Sequence, residues 1–279
     1  MKHNRIFSHF QTRPIVDQNT PPVVEISSDL GLTSEVIHQT NNGWRFSDGQ
    51  ELNFAHIRKI NKNTNDCFLW VDGLLQKVEA FSASTNRYYS LMPTAKAPTL
   101  LISGIPMHRI KGTTPLDDTK TKIKALGMPH GLILDTATGL GYTAMQAART
   151  CDRVITIEFD PAVIKICRSN PWSQDLFTNP KISKLIGDSY ELAPNFSDET
   201  FNAIIHDPPT FSLAGYLYSK TIYQSFYRIL KPNGRLFHYI GNPHSRTGAS
   251  VGRGVVERLE NCGFSVSSKP FAFGVLAVK

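Results

Sequence analysis

No stretch of the 279-residue sequence approaches the roughly 18–20 consecutive apolar residues that span a bilayer, so no membrane-spanning helix is expected. Behind Met1-Lys2-His3-Asn4-Arg5 there is no apolar core of the kind a secretory leader carries, and a signal peptide is not expected either. Cysteine is scarce: Cys67, Cys151, Cys167 and Cys262 stand apart, with no CxxC pair. That spacing argues against a zinc site and for reduced thiols in a cytoplasmic protein. Blocks of consecutive basic residues, internal repeats and low-complexity segments are also lacking. What the chain does have is an excess of basic over acidic residues, 30 to 23, for a formal net charge of +7. Such a charge is compatible with a polyanionic partner without requiring one. Apolar residues make up 41%, enough for one large core or two modest ones.

Residues 1–20 are polar without a clear period and read as a flexible arm. Over 21–101 the sequence reads as a small β-rich domain. Its short strands, at 23–26, 35–38, 43–46, 68–71, 74–81 and 88–91, are punctuated by Asn-Asn-Gly, Ser-Asp-Gly and Asp-Gly. Those residues tolerate positive φ and favour tight hairpins. A short helix is expected over 54–60, with Asn53 as its cap. Residues 102–127 connect onward and end in a helix over 115–126. From 128 to 279 the pattern changes to alternation of strands (131–136, 153–158, 182–186, 202–206, 234–240, 264–268, 272–278) with helices (142–150, 161–169, 216–230, 250–262). Several strands are continuous apolar runs, as in a sheet covered on both faces. The expected fold class is therefore α/β, a doubly wound, mainly parallel, seven-stranded sheet behind a small N-terminal β-rich domain. The last two strands, joined through Lys269-Pro270, are expected as an antiparallel edge pair.

In doubly wound sheets, ligands sit beyond the carboxyl ends of the strands. Asp135 closes the first strand, and Gly139 and Gly141 follow it in a turn before the next helix. Glu158 ends the second strand, where a carboxylate accepts both hydroxyls of a ribose, and Asp188 follows the third, within reach of an adenine amino group. The glycine spacing also fits the looser dinucleotide pattern. Three acids around the turn, however, repel a pyrophosphate and suit a cationic sulfonium, which points to S-adenosyl-L-methionine. Thr136, Tyr142, Thr143, Phe159, Ser189 and Asp207 complete the expected cofactor set.

His206-Asp207-Pro208-Pro209-Thr210-Phe211 ends the fourth strand. A residue before proline is driven to extended geometry, so Asp207 and the carbonyl after it are fixed. Together they can accept both hydrogens of an amino group and aim its lone pair, and positioning of this kind supplies most of the acceleration. Asp207 and Pro208 are thus the expected catalytic residues. His206 has two readings, a base beside Asp207 or a packed strand histidine. Phe211, His238, Tyr239 and Asn242 are expected on the substrate side. His108 and Arg109 are read there too, with Arg109 binding a carboxylate or phosphate or serving as a surface charge.

The order strand, Gly-x-Gly, helix, strand, Glu158, then Gly187-Asp188, then Asp207-Pro208-Pro209 resembles the class I S-adenosylmethionine-dependent methyltransferases over about residues 115–279. Ile105-Pro106-Met107-His108-Arg109, Pro115-Leu116-Asp117-Asp118-Thr119 and Phe211-Ser212-Leu213-Ala214-Gly215 add a similarity to an uncharacterised archaeal-type methyltransferase group with the Asp-Pro-Pro motif. The resemblance implies a Rossmann-like fold, cofactor contacts at Asp135, Gly139, Gly141, Glu158 and Asp188, and chemistry near Asp207. The resemblance supplies no substrate; the Asp-Pro-Pro motif and the basic charge fit methylation of an amino nitrogen, on an RNA base first or on a small amine. Methyltransferases directed at amino groups place an aromatic directly after Asp-Pro-Pro. Here Thr210 stands in that place and Phe211 follows one residue later. Residues 213–234 also resemble the segment after the catalytic Asp of spermidine synthases, which implies the alternative of aminopropyl transfer from decarboxylated S-adenosylmethionine. A scaffold that binds RNA without catalysis is a third reading. No metal is called for, and a homodimer is left open.

Overall fold

Asp72 (φ 50°) and Gly73 (φ 79°) both take left-handed backbone, and the chain folds back so that Phe68–Val71 pairs antiparallel with Leu74–Lys77. Turns of this sort recur through the first of two units in a computed structural model describing residues 5–16 and 20–279. That unit comprises residues 1–115 with 162–174, and the second comprises 116–161 with 175–279.

Among the described residues, the first unit holds three small antiparallel sheets. Phe68–Val71 lies between Arg5–Phe7 and Leu74–Lys77. A second sheet runs Val23–Ile26, Glu35–Gln39, Gly43–Arg45 and Glu51–Asn53. A third runs Glu79–Ser82, Arg87–Met92, Thr99–Ile102 and Ile105–Pro106. The single strand expected over 74–81 is broken at Val78, whose amide donates to the Cys67 carbonyl and whose carbonyl accepts from Leu91, passing the chain from one sheet to the next. The helix after Asn53 is Phe54–Lys62, and the Asn53 carboxamide oxygen accepts from the His56 amide at 2.8 Å, as its capping role requires.

The arm expected over 1–20 is corrected for the residues described. Arg5–Phe7 is a strand, His9–Thr12 a helix and Arg13–Ile15 a 3₁₀ turn. Phe7 and Ile15 are buried in a core with Ile37, Trp44, Leu52, Ile57 and Phe68. Arg5 is buried as well, paired with Glu35 and Asp48 and lying 4.0 Å over the Phe46 ring. Two apolar anchors, Phe7 and Ile15, and one buried cation order this segment, although it is too short and polar to show a period.

Elements of the α/β sheet are labelled in chain order: α1 (Pro115–Leu126), β1 (Leu132–Asp135), α2 (Tyr142–Ala148), β2 (Arg153–Glu158), α3 (Pro161–Ser169), β3 (Ile182–Ile186), β4 (Phe201–His206), α4 (Lys220–Ile229), β5 (Leu230–Tyr239), α5 (Arg246–Glu260), β6 (Ser265–Lys269) and β7 (Gly274–Val278). The seven strands lie in the order 3-2-1-4-5-7-6. Pairs among β3, β2, β1, β4 and β5 are parallel, and β7 is antiparallel to both neighbours. The last two strands do pair antiparallel, but only β6 is an edge: β7 is inserted between β5 and β6. Ile222, Tyr223, Phe226 and Ile229 bury one stripe of α4 in a core shared with Leu134, Ile204, Leu236 and Val275. The parallel strands bring the carboxyl ends of β1, β2, β4 and β5 to one rim. Among the described residues, no helix is long and apolar enough to cross a membrane.

Candidate active site

β1 is a continuous apolar run ending in Asp135, which has no exposed surface. Its carboxylate accepts from the Thr156 hydroxyl at 2.8 Å and from the Thr143 hydroxyl at 3.2 Å. Burial pushes the Asp135 carboxyl up to about 7; the two hydroxyls oppose this, and the charges of Asp207 and Glu158 add to it. Glu158, the last residue of β2, accepts from the amides of Gly139 at 2.9 Å and Asp160 at 3.1 Å, and burial pushes it likewise to about 7. Gly139 (φ 51°) presents a face where an added Cβ would meet nothing within 4 Å. Gly141 (φ 78°) starts α2, and an added Cβ there would meet Leu176 at 2.8 Å.

Asp188 caps the short helix Ser189–Leu192, accepting from the Tyr190 amide at 2.8 Å. Thr136, Tyr142, Thr143 and Ser189 are buried, and Phe159 is exposed. Two buried carboxyls held near neutrality beside an open glycine face form a place where a cation relieves uncompensated negative charge. The residues present therefore fit a sulfonium cofactor, with Glu158 and Asp188 placed at the ends of β2 and β3.

Asp207 follows β4. Its Oδ2 accepts from the Lys122 ammonium at 2.5 Å, and the same ammonium pairs with Asp118 at 2.9 Å and lies 4.4 Å from the centre of the Tyr239 ring. Lys122 and Asp118 are 1% and 0% exposed, whereas the Asp207 side chain is 13% exposed. Lys122 is held firmly protonated: its two carboxylate partners outweigh the burial that opposes its charge. Sequence reasoning missed this pair. The available signal was two opposite charges at i and i+4 on the face of α1 that also carries Thr119, Ile123 and Leu126, all buried. Arg235 at the foot of β5 donates to the Leu126 carbonyl at 3.5 Å, anchoring the other end of α1.

His206 is corrected to a packed residue. It has no exposed surface; its Nε2 donates to the Leu217 carbonyl at 2.8 Å and its Nδ1 accepts from the Thr136 hydroxyl at 2.7 Å. Burial pushes it down to about 4, so it is neutral near pH 7 and committed to structure. His238 is equally buried, with Nε2 bonded to the Tyr223 hydroxyl at 2.9 Å and its pKa held well below the usual range by burial, and it does not line an open site. The cause is strand alternation. In the parallel pair His206 sits opposite His238, so both point to one face, leaving Asp207 and Tyr239 on the other.

Phe211 is half exposed and packs edge-on against Tyr218 at 5.4 Å; the Tyr218 hydroxyl in turn donates to the Pro209 carbonyl at 3.0 Å and so braces the Pro-Pro turn. Asn242 is exposed, and its carboxamide oxygen accepts from the His244 amide in the loop leading to α5. His108 and Arg109 belong to the first unit, where the His108 ring bonds the Thr99 hydroxyl at 2.9 Å.

Residues 133–234, which carry the glycine turn and the Asp-Pro-Pro turn, match the family model described as a methyltransferase domain. The match runs from β1 into β5 of the 3-2-1-4-5-7-6 sheet, about a third of the chain. The chain belongs to the family of the uncharacterized protein MJ1233 of Methanocaldococcus jannaschii, to which it is 45% identical over 240 residues, covering 84% of this chain and 81% of that one. It is also 28% identical to polyamine aminopropyltransferase 2 of Streptomyces coelicolor, over 44% of this chain and 24% of the relative. Its fold is similar to that of spermidine synthase from Thermotoga maritima, with a TM-score of 0.56 at 16% identity over 76% of this chain and 77% of that structure.

Proposed function

We propose that the protein is a methyltransferase that alkylates an amino nitrogen, with an RNA base placed first among acceptors and a small amine second. One observation carries the reading: β1 and β4 are parallel neighbours with Asp135 opposite Ile205, and Asp207 at the Pro-Pro turn follows only two residues beyond that partner. The residue that would orient an acceptor therefore shares a rim with the acids that would hold the donor. When bound, S-adenosylmethionine supplies an electrophilic methyl group whose bond to sulfur breaks with the electron pair left on sulfur. Asp135 and Glu158 hold the donor. Asp207 accepts an N–H of the acceptor and aims the lone pair, and the proton released after alkylation passes to water. The net charge of +7 supports a polyanionic acceptor.

The second reading, aminopropyl transfer from decarboxylated S-adenosylmethionine, is favoured by the likeness to a curated aminopropyltransferase. An aliphatic ammonium must lose a proton before it attacks. A carboxylate already bonded to a lysine ammonium serves that step poorly, and this supports the first reading. The test is transfer of a labelled methyl group from S-adenosylmethionine to undermodified RNA and to nucleosides. Label in product that is lost in Asp207→Ala is the expected result. In a parallel assay with decarboxylated S-adenosylmethionine and putrescine, aminopropyl transfer without any methyl transfer from S-adenosylmethionine would refute the first reading.

A further inference from the structure

A buried ammonium between two carboxylates needs a reason. Removing a lysine cation from water costs several kcal/mol before any partner is counted, and Lys122 is 1% exposed. Docking of α1 does not require it, because Ile123, Ala125 and Leu126 are buried on the same helix and Arg235 ties down its last turn. Lys122 instead reaches from α1 to the one carboxylate of the cluster that retains solvent contact, Asp207. Asp118, fully buried one turn earlier, pairs with the same ammonium at 2.9 Å, and the Tyr239 ring centre lies 4.4 Å from it. Asp118, Lys122 and Asp207 sum to a single negative charge.

We propose that Lys122 is a specificity-determining residue that stands where a substrate ammonium would otherwise pair with Asp207. The site then accepts an amino group that is uncharged at neutral pH, such as an exocyclic amine on a heteroaromatic ring, and turns aliphatic polyamines away. This rests on the methyltransferase reading and narrows its acceptor. The reasoning is electrostatic. A neutral amino group donates N–H to Asp207 with no like charge to meet, whereas an ammonium would approach a carboxylate that already bears a cation 2.5 Å away. Of the two acceptor classes above, an RNA base fits and an aliphatic amine does not.

The experiment uses the full chain in two calorimetric steps. S-adenosylhomocysteine is titrated first, and failure of that ligand to bind overturns the methyltransferase reading itself. Spermidine and putrescine are then titrated into the S-adenosylhomocysteine complex. Wild type is expected to show no saturable binding of either polyamine. Lys122→Met, which leaves two carboxylates without their cation, is expected to bind spermidine saturably, at least about tenfold tighter than the detection limit that wild type sets, with S-adenosylhomocysteine affinity retained. If Lys122→Met does not fold, the double variant Lys122→Gln with Asp118→Asn keeps hydrogen-bonding groups and leaves Asp207 as the one charge of the cluster, with no competing cation; it is expected to bind spermidine saturably, less tightly than Lys122→Met. Saturable polyamine binding by wild type, or no gain in a folded variant, overturns the inference and leaves the S-adenosyl reading standing.

Discussion

Asp135 and Glu158 make the site's behaviour depend on pH in a definite direction. Both carboxyls are raised to about 7, chiefly by burial. A carboxyl raised above its unfolded value near 4 contributes stability that is fully present below that value and lost as pH rises through about 7. The melting temperature of the cofactor-free protein, compared with Asp135→Asn, should therefore fall relative to the variant between about pH 5 and 7.5. A constant difference would contradict the burial account of Asp135. Binding of a cationic donor runs the opposite way. Affinity for S-adenosylmethionine should strengthen as pH rises to about 7 and then level off, with proton release measurable in buffers of different ionisation heat. Asp207→Ala should lower transfer by about 10²-fold or more through lost positioning, with donor affinity changed by no more than a few-fold. Equal losses in both would make Asp207 a structural residue. Asp135, Gly139, Glu158 and Asp207 were legible because each closes an apolar run or breaks one. Lys122 was not, since its partner Asp207 is 85 residues away and only the folded chain joins them. Of the two readings of His206 the packed one fits, because adjacency in sequence along a strand means opposite faces in space.

Elements with a strong period were read well, and short or irregular ones were not. β2, β3, α1 and α3 match their expected ranges, since continuous apolar runs and a helical stripe leave little freedom. The insertion of β7 between β5 and β6 could not be read from spacing, because pairing order is decided by packing across the whole sheet. Nor was the ordering of residues 5–16 visible, since it depends on Arg5 meeting Glu35 and Asp48 far along the chain. The turn between β1 and α2 admits a direct check. Gly141→Ala combines left-handed backbone (φ 78°) with a 2.8 Å approach to Leu176, and should destabilise by about 1–3 kcal/mol in denaturant unfolding. Phe226→Ala, which empties a fully buried position of α4 beside His206, should cost about 3–5 kcal/mol by the same measurement. Smaller losses at both sites would mean that the packing around β4 is looser than described.

At the scale of the whole molecule, the α/β unit carries the candidate site, and the first unit brings its own core built on Phe7, Trp44 and Phe68. The match to MJ1233, 45% identical over 240 residues, is long enough to reach into both units. The domain model covers only residues 133–234, so it speaks to the cofactor end of the sheet. Donor and acceptor are thus separate questions, and the donor comes first. The most direct measurement is calorimetric titration of the full chain with S-adenosylmethionine and, in parallel, its decarboxylated form. Preferential binding of S-adenosylmethionine, strengthening towards pH 7 and weakened in Asp135→Ala, is the expected result. Preference for the decarboxylated donor, or no binding of either, would contradict the methyltransferase reading.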